Sequence, residues 1–85
     1  MRIEYRRDPQ KALRGMQRAK AEDIFAALDR IAADPFARNN NIKPLRGVPN
    51  GCRVRVGDWR VSYTLDRGGD VIEVFEIAPR GGAYR

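Results

Sequence analysis

The stretch Leu45–Tyr63, LRGVPNGCRVRVGDWRVSY, decides how the rest of the 85-residue chain is read. From Gly51 to Val56 it alternates, with Arg53 and Arg55 on one side and Cys52, Val54 and Val56 on the other. Successive residues of a strand face opposite ways, so arginines two apart share a face. Gly57-Asp58 is a turn signal, and a second alternating run follows it. In that run Val61, Tyr63 and Leu65 form the apolar set, opposite Arg60, Ser62 and Thr64. The pattern predicts a hairpin that supplies core on one face and a cationic platform on the other.

Working outward, Arg2 to Arg6 alternates and predicts a short first strand carrying Ile3 and Tyr5 on one face. Asp8-Pro9 reads as a helix start, with Asp8 as N-cap and Pro9 at the first helical position, where its φ is preset. This helix is expected to run to about Arg18, with Ala12, Leu13 and Met16 inward and Gly15 as a weak point inside it. A second helix is expected over about Ala21 to Ala33. Ile24, Leu28 and Ile31, with Phe25 beside them, make its apolar stripe, and Glu22 and Asp23 sit in its first turn. Asp34-Pro35 ends it, because the residue before proline is pushed out of helical geometry.

Phe36 to Asn50, with three consecutive asparagines and Pro44, Gly47 and Pro49, reads as a loop anchored by Ile42 and Leu45. After the hairpin, Asp66 to Asp70 predicts a turn. Val71 to Ala78 then predicts a last strand, apolar on both faces except at Glu73 and Glu76, as a central position requires; Pro79 ends it. The expected order is β-α-α-β-β-β: an α+β domain spanning residues 1–85, a small antiparallel-type sheet with an N-terminal helical hairpin on one face.

Composition narrows the function classes. At 42% hydrophobic and 33% charged residues, the chain has the make-up of a globular domain rather than a disordered one. Seventeen basic against eleven acidic side chains leave a formal charge of +6, which points to a polyanionic partner. Between Lys43 and Arg60 five basic residues (Lys43, Arg46, Arg53, Arg55, Arg60) face Asp58 alone. Four of these five are arginines, whose guanidinium fork suits phosphate.

Cys52 is the one cysteine and is expected to behave as a small buried hydrophobe. There is no histidine, so the commonest general base and the usual zinc spacings are missing, and neither a metal nor a cofactor is expected. Any catalysis has to use arginine, lysine, tyrosine or carboxylates. Neither a signal peptide nor an apolar run of the ~20 residues a membrane span needs is visible, which makes a cytoplasmic protein the expectation.

The run RVRVGDWRVSY (53–63), a further strand, and then PRGGAYR (79–85) resemble the RelE/ParE toxin superfamily of type II toxin–antitoxin pairs. The resemblance spans nearly the whole chain, is strongest from Leu45 onward, and is architectural only in the helices. It implies the β-α-α-β-β-β fold and a cognate antitoxin as partner. An arginine after the last strand followed by a tyrosine, as at Arg80 and Tyr84, is the ending of the RelE-like branch. Members of that branch are endoribonucleases (mRNA interferases) that cut mRNA on the ribosome. Carried over residue by residue, the resemblance makes Arg60, Arg80 and Tyr84 catalytic. It gives Arg53 and Arg55 the place of paired basic residues that are lysines in RelE itself. With Lys43, Arg46 and Arg85 these two form the expected RNA-binding set.

For Arg53 and Arg55 a solvated strand face, or a docking surface for an acidic antitoxin segment, stands beside RNA binding. For Tyr84, a base with its pKa lowered by neighbouring cations stands beside a ring that stacks on a nucleobase. ParE-like members share the fold but poison DNA gyrase, which keeps a gyrase inhibitor as the alternative function. A degenerate toxin that only binds antitoxin is a third.

Overall fold

Hairpin formation follows from the turn. Strand β3 (Gly51–Val56) and strand β4 (Trp59–Asp66) pair antiparallel, from Gly51 opposite Thr64 to Val56 opposite Trp59. That leaves Gly57-Asp58 as a two-residue loop, and Gly57 takes φ +58°, which glycine adopts without steric cost. These elements belong to a computed structural model of the chain, which describes residues 1–80.

Around the hairpin lie strand β1 (Arg2–Tyr5), helix α1 (Arg7–Gly15), helix α2 (Arg18–Ala33), strand β2 (Ile42–Pro44) and strand β5 (Val71–Pro79). The sheet order is β1-β5-β4-β3-β2. Strand β5 is thus flanked on both sides, as its apolar sequence required. It pairs antiparallel with β4 and parallel with β1, so the sheet is mixed rather than antiparallel throughout. The two helices between β1 and β5 supply the crossover that parallel pairing needs.

Ile24, Leu28 and Ile31 of α2 pack with Val54, Val61, Tyr63, Ile72, Val74 and Ile77 of the sheet in one buried cluster. Cys52, Val56 and Trp59 lie half-buried against it, as do Ala12, Leu13 and Met16. The helices therefore cover the apolar face of the hairpin, and the face bearing Arg53, Arg55 and Arg60 is turned away from them.

Several boundaries differ from the sequence reading, each for a physical reason. Helix α1 begins at Arg7, two residues earlier relative to its proline than expected. Arg6 is its N-cap residue without a side-chain cap, Asp8 lies in the first turn, and Pro9 is the third helical residue and buried. Pro9 is tolerated there because the first turn's N–H groups have no intrahelical acceptor. The helix stops at Gly15 and Met16 is extended, so Gly15 ends α1 instead of weakening its middle. Helix α2 then starts at Arg18, a turn before the expected Ala21.

Phe25 is 41% exposed and meets Tyr5 edge-on at 6.0 Å, at the rim of the core instead of inside it. The expected loop contains a fifth strand, β2, which pairs with β3 from Ile42 opposite Val54 to Pro44 opposite Cys52. Its proline is tolerated because β2 is an edge strand. No helix among the described residues is long and apolar enough to cross a membrane.

Candidate functional site: a cationic depression on the open face of the sheet

The register decides which cations meet. Lys43 is opposite Arg53, Arg53 opposite Ser62, and Ser62 opposite Glu76, so these four form one row across β2, β3, β4 and β5. One step along, Arg55 is opposite Arg60, and Arg60 opposite Ala78. Between Ser62 and Tyr63 the β4–β5 register slips by one residue, which leaves Phe75 without an opposite number. The slip allows both Glu76 on the open face and Val74 in the core.

Arg80 follows the last residue of β5, and its N–H donates to the Asp58 carbonyl at 2.6 Å. This bond ties the end of β5 to the hairpin turn. Lys43, Arg53, Arg55, Arg60 and Arg80 consequently line a single depression of about 460 Å³, together with Asn40, Asn41, Pro44 and Leu45. Five cations drawn from four segments of the chain thus border one open hollow. An anion with several charged oxygens is the chemical complement of such a surface.

The cations differ in how they are held. Arg53 is partly exposed: its Nε donates to the Ser62 hydroxyl at 3.3 Å, and its Nη2 lies 3.9 Å from the Glu76 carboxylate. Ser62 donates in turn to Glu76 at 3.4 Å. Arg55 is exposed. Arg55 directly opposite Arg60 is a like-charge pair, an arrangement that weakens a sheet.

Of the residues expected from sequence, the structure brings together Lys43, Arg53, Arg55, Arg60 and Arg80. Arg46 is exposed in the turn after β2 and does not line the depression. Tyr84 and Arg85 lie outside the described residues. Sequence reading missed Ser62 and Glu76 as neighbours of Arg53, and Asn40 and Asn41 as a wall. Ser62 was legible as a residue of the cationic face, but its contact with Glu76 depends on the β4–β5 register, which no local pattern encodes. The asparagines sit where a local turn forms: the Asn39 side chain accepts the Asn41 N–H at 2.8 Å, and the Asn39 carbonyl accepts the Ile42 N–H at 3.1 Å.

Known proteins resemble this chain in sequence and in fold. Residues 3–84 match the family model described as ParE toxin of type II toxin–antitoxin system, parDE. A curated relative, Toxin RelE of Mycobacterium tuberculosis, is 38% identical over 77 residues, covering 87% of this chain and 78% of the relative. Among solved structures, the archaeal RelE–RelB complex from Pyrococcus horikoshii superposes with a TM-score of 0.80 at 26% identity, covering 94% of each chain. The intact E. coli RelBE toxin–antitoxin complex gives 0.78 at 18% identity, covering 92% of this chain and 94% of that one, a likeness of fold.

Proposed function

Because the chain belongs to the RelE/ParE superfamily of type II toxins, on its RelE-like side, we propose that it is a ribosome-dependent endoribonuclease that cleaves mRNA in the decoding site. An antitoxin is the partner such a toxin has, and the solved neighbours are toxin–antitoxin complexes. The observation that carries the nuclease reading is the convergence of Lys43, Arg53, Arg55, Arg60 and Arg80 on one depression. Its place of action is the cytoplasm, where translated message is found.

The chemistry asked of the site is attack of a 2′-hydroxyl on the adjacent phosphorus, which breaks the bond to the 5′-oxygen and leaves a 2′,3′-cyclic phosphate and a 5′-hydroxyl protonated from water. Negative charge grows on the non-bridging oxygens, and in this reading Arg60 and Arg80, which line the depression, stabilise it. Arg53, Arg55 and Lys43 hold the phosphates on either side. Arginine stays protonated, so it stabilises charge but does not take the 2′ proton. In this reading Tyr84 takes that proton or stacks on the splayed base, as its counterpart in the resemblance implies, and Arg46 and Arg85 add phosphate contacts. A ribosome that positions the message supplies much of what a site without histidine lacks.

The test is to map RNA 5′ ends after induction. New ends inside translated messages are the expected result, disappearing when translation initiation is blocked. Intact message with lost DNA supercoiling would give the protein to gyrase inhibition instead, a reading that the ParE description of the matching family model favours. Neither effect, with antitoxin binding retained, would leave a degenerate toxin.

A further inference from the structure

We propose that Ser62 and Glu76 are positioning residues that fix the guanidinium of Arg53 at the cationic depression, an inference that rests on the RNA-cleavage reading above. Ser62 is 1% exposed and is the one buried residue of polar type among the described residues. A hydroxyl in that position has to be satisfied from within the protein. Its partners are both on the open face: Arg53 Nε at 3.3 Å as donor to it, and Glu76 Oε1 at 3.4 Å as acceptor from it. The same Glu76 oxygen lies 3.9 Å from Arg53 Nη2. One oxygen thus accepts from the hydroxyl and lies within ion-pair range of the guanidinium, whose Nε is hydrogen-bonded to that same hydroxyl.

The arrangement is built across three strands. Arg53, Ser62 and Glu76 are consecutive partners in the ladder, so the contacts follow from register and not from chance surface packing. A free arginine must lose considerable rotamer freedom when it grips a phosphate. Here that freedom is restricted before RNA arrives, which is the physical meaning of a preorganised contact. Glu76 also places one negative charge beside a crowd of cations, lessening their mutual repulsion without lining the depression itself.

The test uses the full chain on programmed ribosomes, measuring the dissociation constant and the cleavage rate at saturating ribosome separately. Arg53→Ala removes a phosphate contact and weakens binding. Ser62→Ala and Glu76→Ala leave the Arg53 charge in place. They are expected to weaken ribosome binding by ~3–10-fold while leaving the cleavage rate at saturating ribosome nearly unchanged, since a contact that is no longer preorganised pays its ordering entropy on binding. Ser62→Thr, which keeps the hydroxyl, is expected to restore the affinity. In an Arg53→Ala background, Ser62→Ala is expected to add nothing further. Thermal unfolding of each variant reports whether the fold is intact, and exposed Glu76 serves if Ser62→Ala fails to fold. A defective Arg53→Ala on which Ser62→Ala or Glu76→Ala acts additively would overturn the positioning role alone. An Arg53→Ala that binds and cleaves as well as the unaltered protein would overturn the RNA-contact reading of the depression, and this proposal with it.

Discussion

Arg80 shows what a single residue at the depression is asked to do. Its backbone N–H is spent on Asp58, which fixes where the side chain starts from, and its cation borders the hollow with Arg60. On the proposed nuclease reading, Arg80→Ala is expected to slow cleavage at saturating ribosome by ~10²-fold, the scale of losing one preorganised charge-stabilising group. Tyr84→Phe separates that residue's two roles: a base loses most of its activity with the hydroxyl, and a stacking ring keeps most of its rate. Full cleavage and full toxicity in both variants would remove the tail from the mechanism. Arg55 opposite Arg60 gives a prediction of opposite sign for stability and function. Arg55→Thr should raise the unfolding free energy by about 0.2–1 kcal/mol by relieving a like-charge cross-strand pair. The same change should weaken ribosome binding, with a defect that shrinks at low salt. Denaturant melts and binding at two salt concentrations read the two effects. Tyr63 carries a pH dependence. Burial, and after it the neighbouring Cys52 thiol, push its phenol well above the ordinary value, and Tyr5 is raised by burial and then by Asp29. The folded state therefore holds these protons more tightly than the unfolded chain. That contribution is complete below the unfolded tyrosine value of about 10 and is lost as pH rises beyond it. Denaturation midpoints should fall between about pH 9 and about pH 11, and fall less steeply in Tyr63→Phe.

Among the elements, the turns around the hairpin make contrasting demands on their glycines. Gly57 needs only its backbone, since φ is +58° and a Cβ added there would meet nothing within 4 Å. Gly57→Ala should cost about 1 kcal/mol, the penalty for a left-handed residue. At Gly51 the constraint is space: an added Cβ would fall 2.6 Å from Val48 Cγ1 and 3.0 Å from the Val48 carbonyl oxygen. That carbonyl also accepts the Gly51 N–H, so the loop has little room to retreat. Gly51→Ala should cost about 1–3 kcal/mol and loosen the start of β3. Chemical denaturation of the two variants checks the ranking; a more stable Gly51→Ala than Gly57→Ala would contradict it. Legibility in the sequence divides along similar lines. Strands β3, β4 and β5 announce themselves by period and by turn residues. Strand β2 does not, because three residues carry no period, and Pro44 with the asparagines reads as loop until β3 is there to pair with.

On the scale of the whole molecule, one face of the sheet is consumed by the helices and the other carries the cations. An antitoxin that neutralises the toxin by covering that open face, or by displacing the C-terminal tail, should bind less tightly as salt rises. Titration of the toxin with its antitoxin at increasing ionic strength checks this. Affinity indifferent to salt, with Arg53 and Arg55 still able to bind RNA in the complex, would overturn it. The sequence by itself determined the hairpin, the two helices, the buried stripe of Ile24, Leu28 and Ile31, and the sharing of one face by Arg53 and Arg55. Each of these is set by neighbours within a few residues, through periodicity and turn chemistry. Tertiary structure alone decided that β1 joins β5 in parallel, that β2 closes the edge, and that Lys43 and Arg80 reach the hairpin arginines. It alone placed Glu76 beside Ser62 and Arg53, because a one-residue slip between β4 and β5 selects which side chains share the open face.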